Sequence, residues 1–219
     1  TVLKEPLIEY CLKDDALGDP LIAEEHIYAF DWATKKEIEK IKKMILRIND
    51  FMVGMFRGIG IKNHLVKRLN MREQVIKLVE IIPIEFIVRN VATGSITKRL
   101  GIEDGTVLRE PLIEFCLKDD KLGDPLIAEE HILAFDWATN KEIEKVKKMI
   151  LRINDFMIGM FRGVGIKLID FKLELWRIKI NGKNDIILAD EISPDTCRLW
   201  DSVTDKKLDK DRFRKDLGD

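Results

Sequence analysis

The sequence predicts an α+β fold in which an antiparallel sheet is packed by long helices. Residues 168–175 alternate polar and apolar side chains, the period of a half-buried strand. A second apolar run, Ile186–Ile192, follows Asn181-Gly182, a dipeptide that marks a hairpin turn. Two segments, near 35–57 and 140–162, place apolar residues every three or four positions, the stripe of an amphipathic helix.

Composition narrows the function classes. The chain has 219 residues, 46% hydrophobic and 35% charged, enough for a proper apolar core. Lys and Arg number 38 against 39 Asp and Glu, a net charge of -1, which argues against a strongly basic nucleic-acid binder. No apolar run approaches the length of a membrane span, and the opening Thr-Val-Leu-Lys-Glu-Pro is unlike a signal peptide. Cys11, Cys116 and Cys197 form no CxxC pair. Reduced thiols in a cytoplasmic protein are the expectation.

Residues 1–62 recur at 106–167, an offset of 105, with eight differences. These are Lys4/Arg109, Tyr10/Phe115, Ala16/Lys121, Tyr28/Leu133, Lys35/Asn140, Ile41/Val146, Val53/Ile158 and Ile59/Val164. Most preserve volume and polarity, so both copies suit the same packing environment. Two units at so long a period make no solenoid. The first copy joins a different continuation at Gly60-Ile61-Lys62, and only the second runs on into the Leu168–Asp219 tail.

Each element of the copy has a local reason. Leu112–Leu117 reads as a strand, and Lys118–Pro125, with Gly123 and Pro125, as a loop. Ala128–Phe135 reads as a short helix. Thr139 and Glu142 have the spacing of a capping box, in which hydroxyl and carboxylate each satisfy a backbone N–H. Ile143, Val146, Ile150, Ile153, Met157 and Met160 then form a core stripe. Gly163 is expected to end the helix in the left-handed conformation. In the tail, period two sets Asp170, Lys172 and Glu174 on one face and Ile169, Phe171, Leu173 and Leu175 on the other. The returning strand, Ile186–Ile192, is closed by Ser193-Pro194.

Three constellations carry chemistry. Glu174 from one strand and Asp190 with Glu191 from its partner converge, and converging carboxylates repel unless a cation lies between them. A hard cation such as Mg²⁺ with substrate phosphates is one solution, and Lys172 alongside suits a phosphate or acyl phosphate. A solvated acidic face is the plain alternative. Second, an apolar strand (Ile84, Phe86, Val88) ends in Arg89, and Ser95 begins a short helix after Thr93-Gly94. Guanidinium, hydroxyl and free N–H groups make an anion pocket, or an ordinary strand–loop–helix join. Third, Arg198 in the loop Ser193–Arg198 closes a phosphate site or forms a surface ion pair. His26, His64 and His131 form no ligand cluster and read as structural. Neither GxxxxGK[ST] nor GxGxxG occurs.

Taken together, Ile82–Ser95, Leu168–Glu174 and Leu188–Asp201 resemble three conserved blocks of the phosphoribosylaminoimidazole-succinocarboxamide synthase (SAICAR synthetase) family. The resemblance runs from Asn63 to Asp219. It implies a cytoplasmic carbon–nitrogen ligase of purine biosynthesis that joins carboxyaminoimidazole ribonucleotide to L-aspartate, using ATP and Mg²⁺. Carried over by position, Arg89, Ser95 and Arg198 hold the ribonucleotide, chiefly its phosphate. Glu174 and Asp190 bind Mg²⁺. Lys172 faces ATP phosphates or the activated carboxylate. The backbone of Val79, Glu80 and Ile81 meets adenine at an inter-lobe hinge, and Lys118 and Asp124 sit on the substrate side. The resemblance further implies a homo-oligomer, with no nucleic-acid or membrane partner.

Two departures stand out. The family's second block closes with Phe-Gly, where this chain has Leu175-Trp176, adding bulk beside the metal strand. Residues 1–62 hold a copy of the central segment where the family has its N-terminal, ATP-covering lobe. The expected organisation is a duplicated strand–loop–helix segment (1–62), a hinge and anion-pocket segment (63–105) and a C-terminal lobe with a metal-binding hairpin (106–219). The alternative is a rearranged, non-catalytic derivative that binds nucleotide or self-associates through the duplicated segment.

Overall fold

The computed structural model describes residues 2–3, 10–11, 21–22, 34–70, 73–180, 182–193 and 196–209. Most of the first copy's strand, loop and short helix, with His26, Asn181 and Pro194, lies outside the described residues. The chain divides into two compact units, Thr1–Gly54 with Leu65–Lys77, and Met55–His64 with Leu78–Asp219.

The first unit contains the short strands β1 (Val2–Leu3), β2 (Tyr10–Cys11) and β3 (Leu21–Ile22) and most of helix α1 (Lys35–Gly58). It also holds strands β4 (Leu65–Arg68) and β5 (Gln74–Ile76). β1, β5 and β4 form an antiparallel sheet in that order, and β2 pairs with β3. Thr34 and Glu37 cap α1, with the Thr34 N–H donating to the Glu37 carboxylate at 2.8 Å. Ile38, Met52 and Val53 form the buried stripe of the helix.

The second unit carries the main sheet. Its strands are β6 (Ile84–Ala92), β7 (Thr106–Leu117), β8 (Leu126–Ile127), β9 (Ile166–Ile180), β10 (Lys183–Ala189) and β11 (Cys197–Asp201). The order is β10-β9-β6-β7-β8, antiparallel throughout, with β11 also paired to β9. Glu174 of β9 faces Glu85 of β6 on one side and Ala189 of β10 on the other. Asp170 likewise lies between Arg89 of β6 and Arg198 of β11. β10 and β11 therefore share the edge of β9 opposite β6.

Helices α2 (Ser95–Leu100), α3 (Glu129–Ala134) and α4 (Asn140–Arg162) complete the unit. α4 packs against β9 and β10. Its stripe of Ile143, Val146, Ile150, Ile153 and Met157 is buried, as are Ile169, Phe171, Leu173 and Leu175 of β9. Period 3.6 in the helix meets period two in the strand, and the apolar core forms where they meet. Thr139 and Glu142 form the expected capping box. Arg177, in phase with the apolar side of β9, donates to Glu142 at 2.6 Å and to the carbonyl of Trp137 at 2.6 Å, tying helix to sheet. No described helix is long and apolar enough to cross a membrane.

Several local expectations are corrected. Gly163 is right-handed (φ −62°). The left-handed residue is Gly165 (φ 74°), matched by its counterpart Gly60 (φ 78°), because the chain makes a further turn before β9 begins. β10 ends at Ala189 rather than Ile192, since Asp190 adopts φ 64° and turns the chain out of the sheet. Arg89 lies within β6 rather than at its end, and Arg198 lies on β11 rather than in a loop. Met160 is half-buried at the rim of the core.

Candidate active site

Asp170, Lys172 and Glu174 of β9 share the sheet face opposite the one that carries Ile169, Phe171, Leu173 and Leu175. Cross-strand register brings Arg89 beside Asp170, Ile87 beside Lys172 and Glu85 beside Glu174. β7 adds Glu114 beside Ile87 and Cys116 beside Glu85. Glu174 lies four residue steps along the strand from Asp170, so the two ends of this row lie about 13 Å apart.

At one end, two guanidiniums converge on one carboxylate. Arg89 Nη1 donates to Asp170 Oδ2 at 2.9 Å, and Arg198 Nη1 donates to the same oxygen at 2.8 Å. Arg89 is 2% exposed and Asp170 4%, so the pairing is a buried one. Arg89 Nε donates to Glu114 at 2.6 Å, and its Nη2 donates to the Ser95 hydroxyl at 3.3 Å. Gly94 precedes Ser95 with φ 69°, and a Cβ built there would meet Arg198 Nη2 at 3.0 Å. The three residues assigned to a phosphate thus come together around Asp170, with glycine required where the backbone passes Arg198.

At the other end the carboxylates gather. Glu174 is 2% exposed. Lys118 Nζ donates to its Oε1, and the Trp176 indole N–H donates to its Oε2 at 3.0 Å. Lys172 Nζ donates to Glu85 at 2.7 Å. Burial works against both ammoniums, but the hydrogen bonds and charges of Glu174, Glu85 and Asp190 outweigh it and hold both lysines above the usual value. Asp190 follows Ala189, the register partner of Glu174. The residue keeps solvent-exposed surface, yet loss of water around its carboxyl, with the Glu174 and Glu191 charges, pushes its pKa up to about 6. Burial and the Glu85 and Glu114 charges push the Cys116 thiol up to about 11, so it is no thiolate nucleophile. Among the described residues, Cys116 and Cys197 are not joined in a disulfide.

This donor set suits a hard divalent cation. Among the described residues, no three His, Cys, Asp or Glu form a complete metal cage. Two carboxylates with substrate phosphates and waters are the ordinary environment of Mg²⁺. Lost hydration is the first cause of the raised Asp190 pKa; the Glu174 and Glu191 charges add to it, and that part a cation would relieve.

Val79–Ile81 runs beside β9 ahead of β6. Glu80 and Arg177 exchange two backbone hydrogen bonds at 2.8 Å, and the division between the two units falls at Lys77/Leu78. Asp124 (φ 46°) accepts from the backbone N–H of Asp119 at 2.9 Å and so shapes the loop after Lys118. His131 Nδ1 accepts from the Ala128 N–H at 2.9 Å, a structural capping role.

Sequence reasoning gave no role to Asp170, Glu85 or Glu114. Glu85 did leave a trace, as a lone charge inside the apolar run Ile84–Val88. Trp176 was expected only as bulk, and its N–H bond to Glu174 follows from both residues lying on the same side of β9.

Comparison with known proteins gives a consistent result. The SAICAR synthetase family model matches residues 1–62 and 51–219. The phosphoribosylaminoimidazole-succinocarboxamide synthase of Pelagibacter ubique (strain HTCC1062) is 74% identical over 216 residues, covering 99% of this chain and 78% of its own. The crystal structure of the synthase from Ehrlichia chaffeensis superposes with a TM-score of 0.78 at 49% identity, covering 82% of this chain and 76% of its own. A SAICAR synthetase solved in complex with ADP gives a TM-score of 0.76 at 38% identity, covering 81% and 75%.

Proposed function

From the premise that this chain belongs to the SAICAR synthetase family, we propose that it is an ATP-dependent ligase joining carboxyaminoimidazole ribonucleotide to L-aspartate in cytoplasmic purine biosynthesis. The observation that carries the reading is the single face of β9. It has an arginine pair at one end and a carboxylate pair at the other, with Lys172 between them.

In this reading Arg89, Arg198 and Ser95 grip the ribonucleotide phosphate. Asp170 and Glu114 hold the guanidiniums in place so that no reorganisation is needed when the anion arrives. That leaves the imidazole carboxylate toward Lys172 and the acidic end. There the γ-phosphoryl group of ATP passes to a carboxylate oxygen, giving an acyl phosphate and ADP. The aspartate amine attacks the acyl carbon, the C–O bond to phosphate breaks, and an amide and inorganic phosphate result. Glu174 and Asp190 would hold Mg²⁺, which when bound supplies charge neutralisation for the phosphates. Lys172 offsets charge on the transferring group or the activated carboxylate. The backbone of Val79–Ile81 receives adenine at the hinge, and Lys118 and Asp124 border the substrate. The segments 1–62, 63–105 and 106–219 then serve as duplicated segment, hinge with anion pocket, and metal-bearing lobe. The enzyme works as a homo-oligomer.

The sequence repeat alone raises the alternative, a non-catalytic derivative that binds nucleotide or self-associates through residues 1–62. Those residues match the family model separately from 51–219. ADP release measured with every pair and the full trio of substrates separates the two. Release that needs ATP, ribonucleotide and L-aspartate together supports the ligase. A ribonucleotide-induced rise in Tm without ADP release supports the derivative.

A further inference from the structure

We propose that the two oxygens of Glu174 have different partners by design: Trp176 anchors Oε2 permanently, while Lys118 fills the cation position at Oε1 and is released when a divalent cation enters. This rests on the metal reading of Glu174 above.

The two donors differ in kind. The indole N–H is neutral and donates only, so it orients the carboxylate without competing for a cation's place. Trp176 sits two residues along β9 from Glu174, opposite Ile187 of β10, on a backbone paired to its neighbour. Lys118 is a cation on a flexible stem, with 37% of its side chain exposed. It leaves the end of β7, where its backbone N–H donates to Pro83 at 3.1 Å. Glu174, Asp190 and Glu85 all stabilise its charge. An ammonium bonded to Glu174, within the field of Asp190 and Glu85, occupies the electrostatic position that a divalent ion would take, and the two charges exclude one another.

The exchange has a consequence for binding. Released from Glu174, Lys118 becomes available to an anionic ligand at the mouth of the loop it begins. Metal binding and anion binding then favour each other, and by linkage the coupling is reciprocal. A carboxylate or phosphate ligand that captures Lys118 tightens the cation site without touching it.

Mn²⁺ binding to the intact chain, followed by electron paramagnetic resonance, tests the proposal through opposite signs. Lys118→Met is expected to bind Mn²⁺ about two- to fivefold tighter, the scale of one partly exposed ion pair. Trp176→Phe, which keeps an aromatic ring but loses the N–H, is expected to bind about tenfold weaker, the scale of a lost outer-shell partner. Lys172→Met controls for charge alone and should have a smaller effect than Lys118→Met. If Glu174→Gln weakens Mn²⁺ binding but Lys118→Met leaves it unchanged or weaker, the exchange is wrong and the metal site stands. Unchanged binding in Trp176→Phe overturns the anchor. Equal binding by wild type and Glu174→Gln overturns the metal reading itself. Intrinsic fluorescence that changes with Mg²⁺ in the wild type, but not in Trp176→Phe, gives a second readout.

Discussion

Arg89 and Arg198 reach the same atom: each donates an Nη1 hydrogen bond to Oδ2 of Asp170, at 2.9 and 2.8 Å. Arg89 also pairs with Glu114, as does Arg99, so three guanidiniums face two carboxylates and an added anion would find one excess positive charge already fixed in direction.

Removing Arg89 takes the most deeply buried guanidinium from Glu114 and Asp170, leaving each with a partly exposed partner, Arg99 and Arg198 respectively. Arg89→Ala should lose about 3–5 kcal/mol of stability, the cost of breaking a buried pair. Arg198, with 22% of its side chain exposed, is the gentler test. Arg198→Ala should fold with a small loss of stability and lose most of the ribonucleotide-induced rise in Tm. Denaturant unfolding and thermal shift measure the two effects.

Gly94 is placed where no other residue fits well. Gly94→Ala should cost about 1–3 kcal/mol through its backbone conformation. It should also weaken ribonucleotide binding, because the new Cβ meets Arg198 Nη2 at 3.0 Å. A calorimetric titration that finds unchanged affinity would detach Arg198 from the phosphate.

Glu142 predicts a pH dependence. The Arg177 hydrogen bond, with those of Thr139, holds its pKa down at about 2 against the ordinary 4.5. A depressed folded-state pKa means that this stabilisation is complete above the ordinary value and is lost as pH falls from about 4.5 toward 2. The stability difference between wild type and Glu142→Gln should shrink across that window and close near its lower end, as followed by circular dichroism. Thr139→Ala, which removes the cap itself, should cost about 1 kcal/mol.

Asn90 and Asn154 exchange side-chain amide hydrogen bonds at 2.9 and 3.0 Å, and Asn154 is 0% exposed. Asn154→Ala leaves the half-buried Asn90 side chain with only its 3.4 Å bond to the Leu168 carbonyl and should cost about 1 kcal/mol. Thermal unfolding measures it.

What the residues announced in advance, and what they concealed, divides along locality. The capping box of Thr139 and Glu142, the stripe from Ile143 to Met157 and the alternation along 168–175 depend on neighbours a few positions away. Each appears in the structure as read. The role of Asp170 depends on Arg89, 81 positions earlier, and on Arg198 across another strand pairing. Register between distant strands is set by tertiary packing, and no local pattern encodes it. Helix and strand ends failed for a related reason. Gly163 and Ile192 were read from composition, while the actual ends are set by the backbone turns at Gly165 and Asp190.

The unbroken run of β9 works as a covalent ruler. Deleting one residue between Asp170 and Glu174 would invert every side chain beyond the cut and send Glu174 into the apolar layer under α4. Deleting two would restore its sidedness but draw the acidic end about 7 Å toward the arginines. Tolerance to length change in this strand should therefore be governed by parity first and distance second, and neither defect can be repaired by repacking.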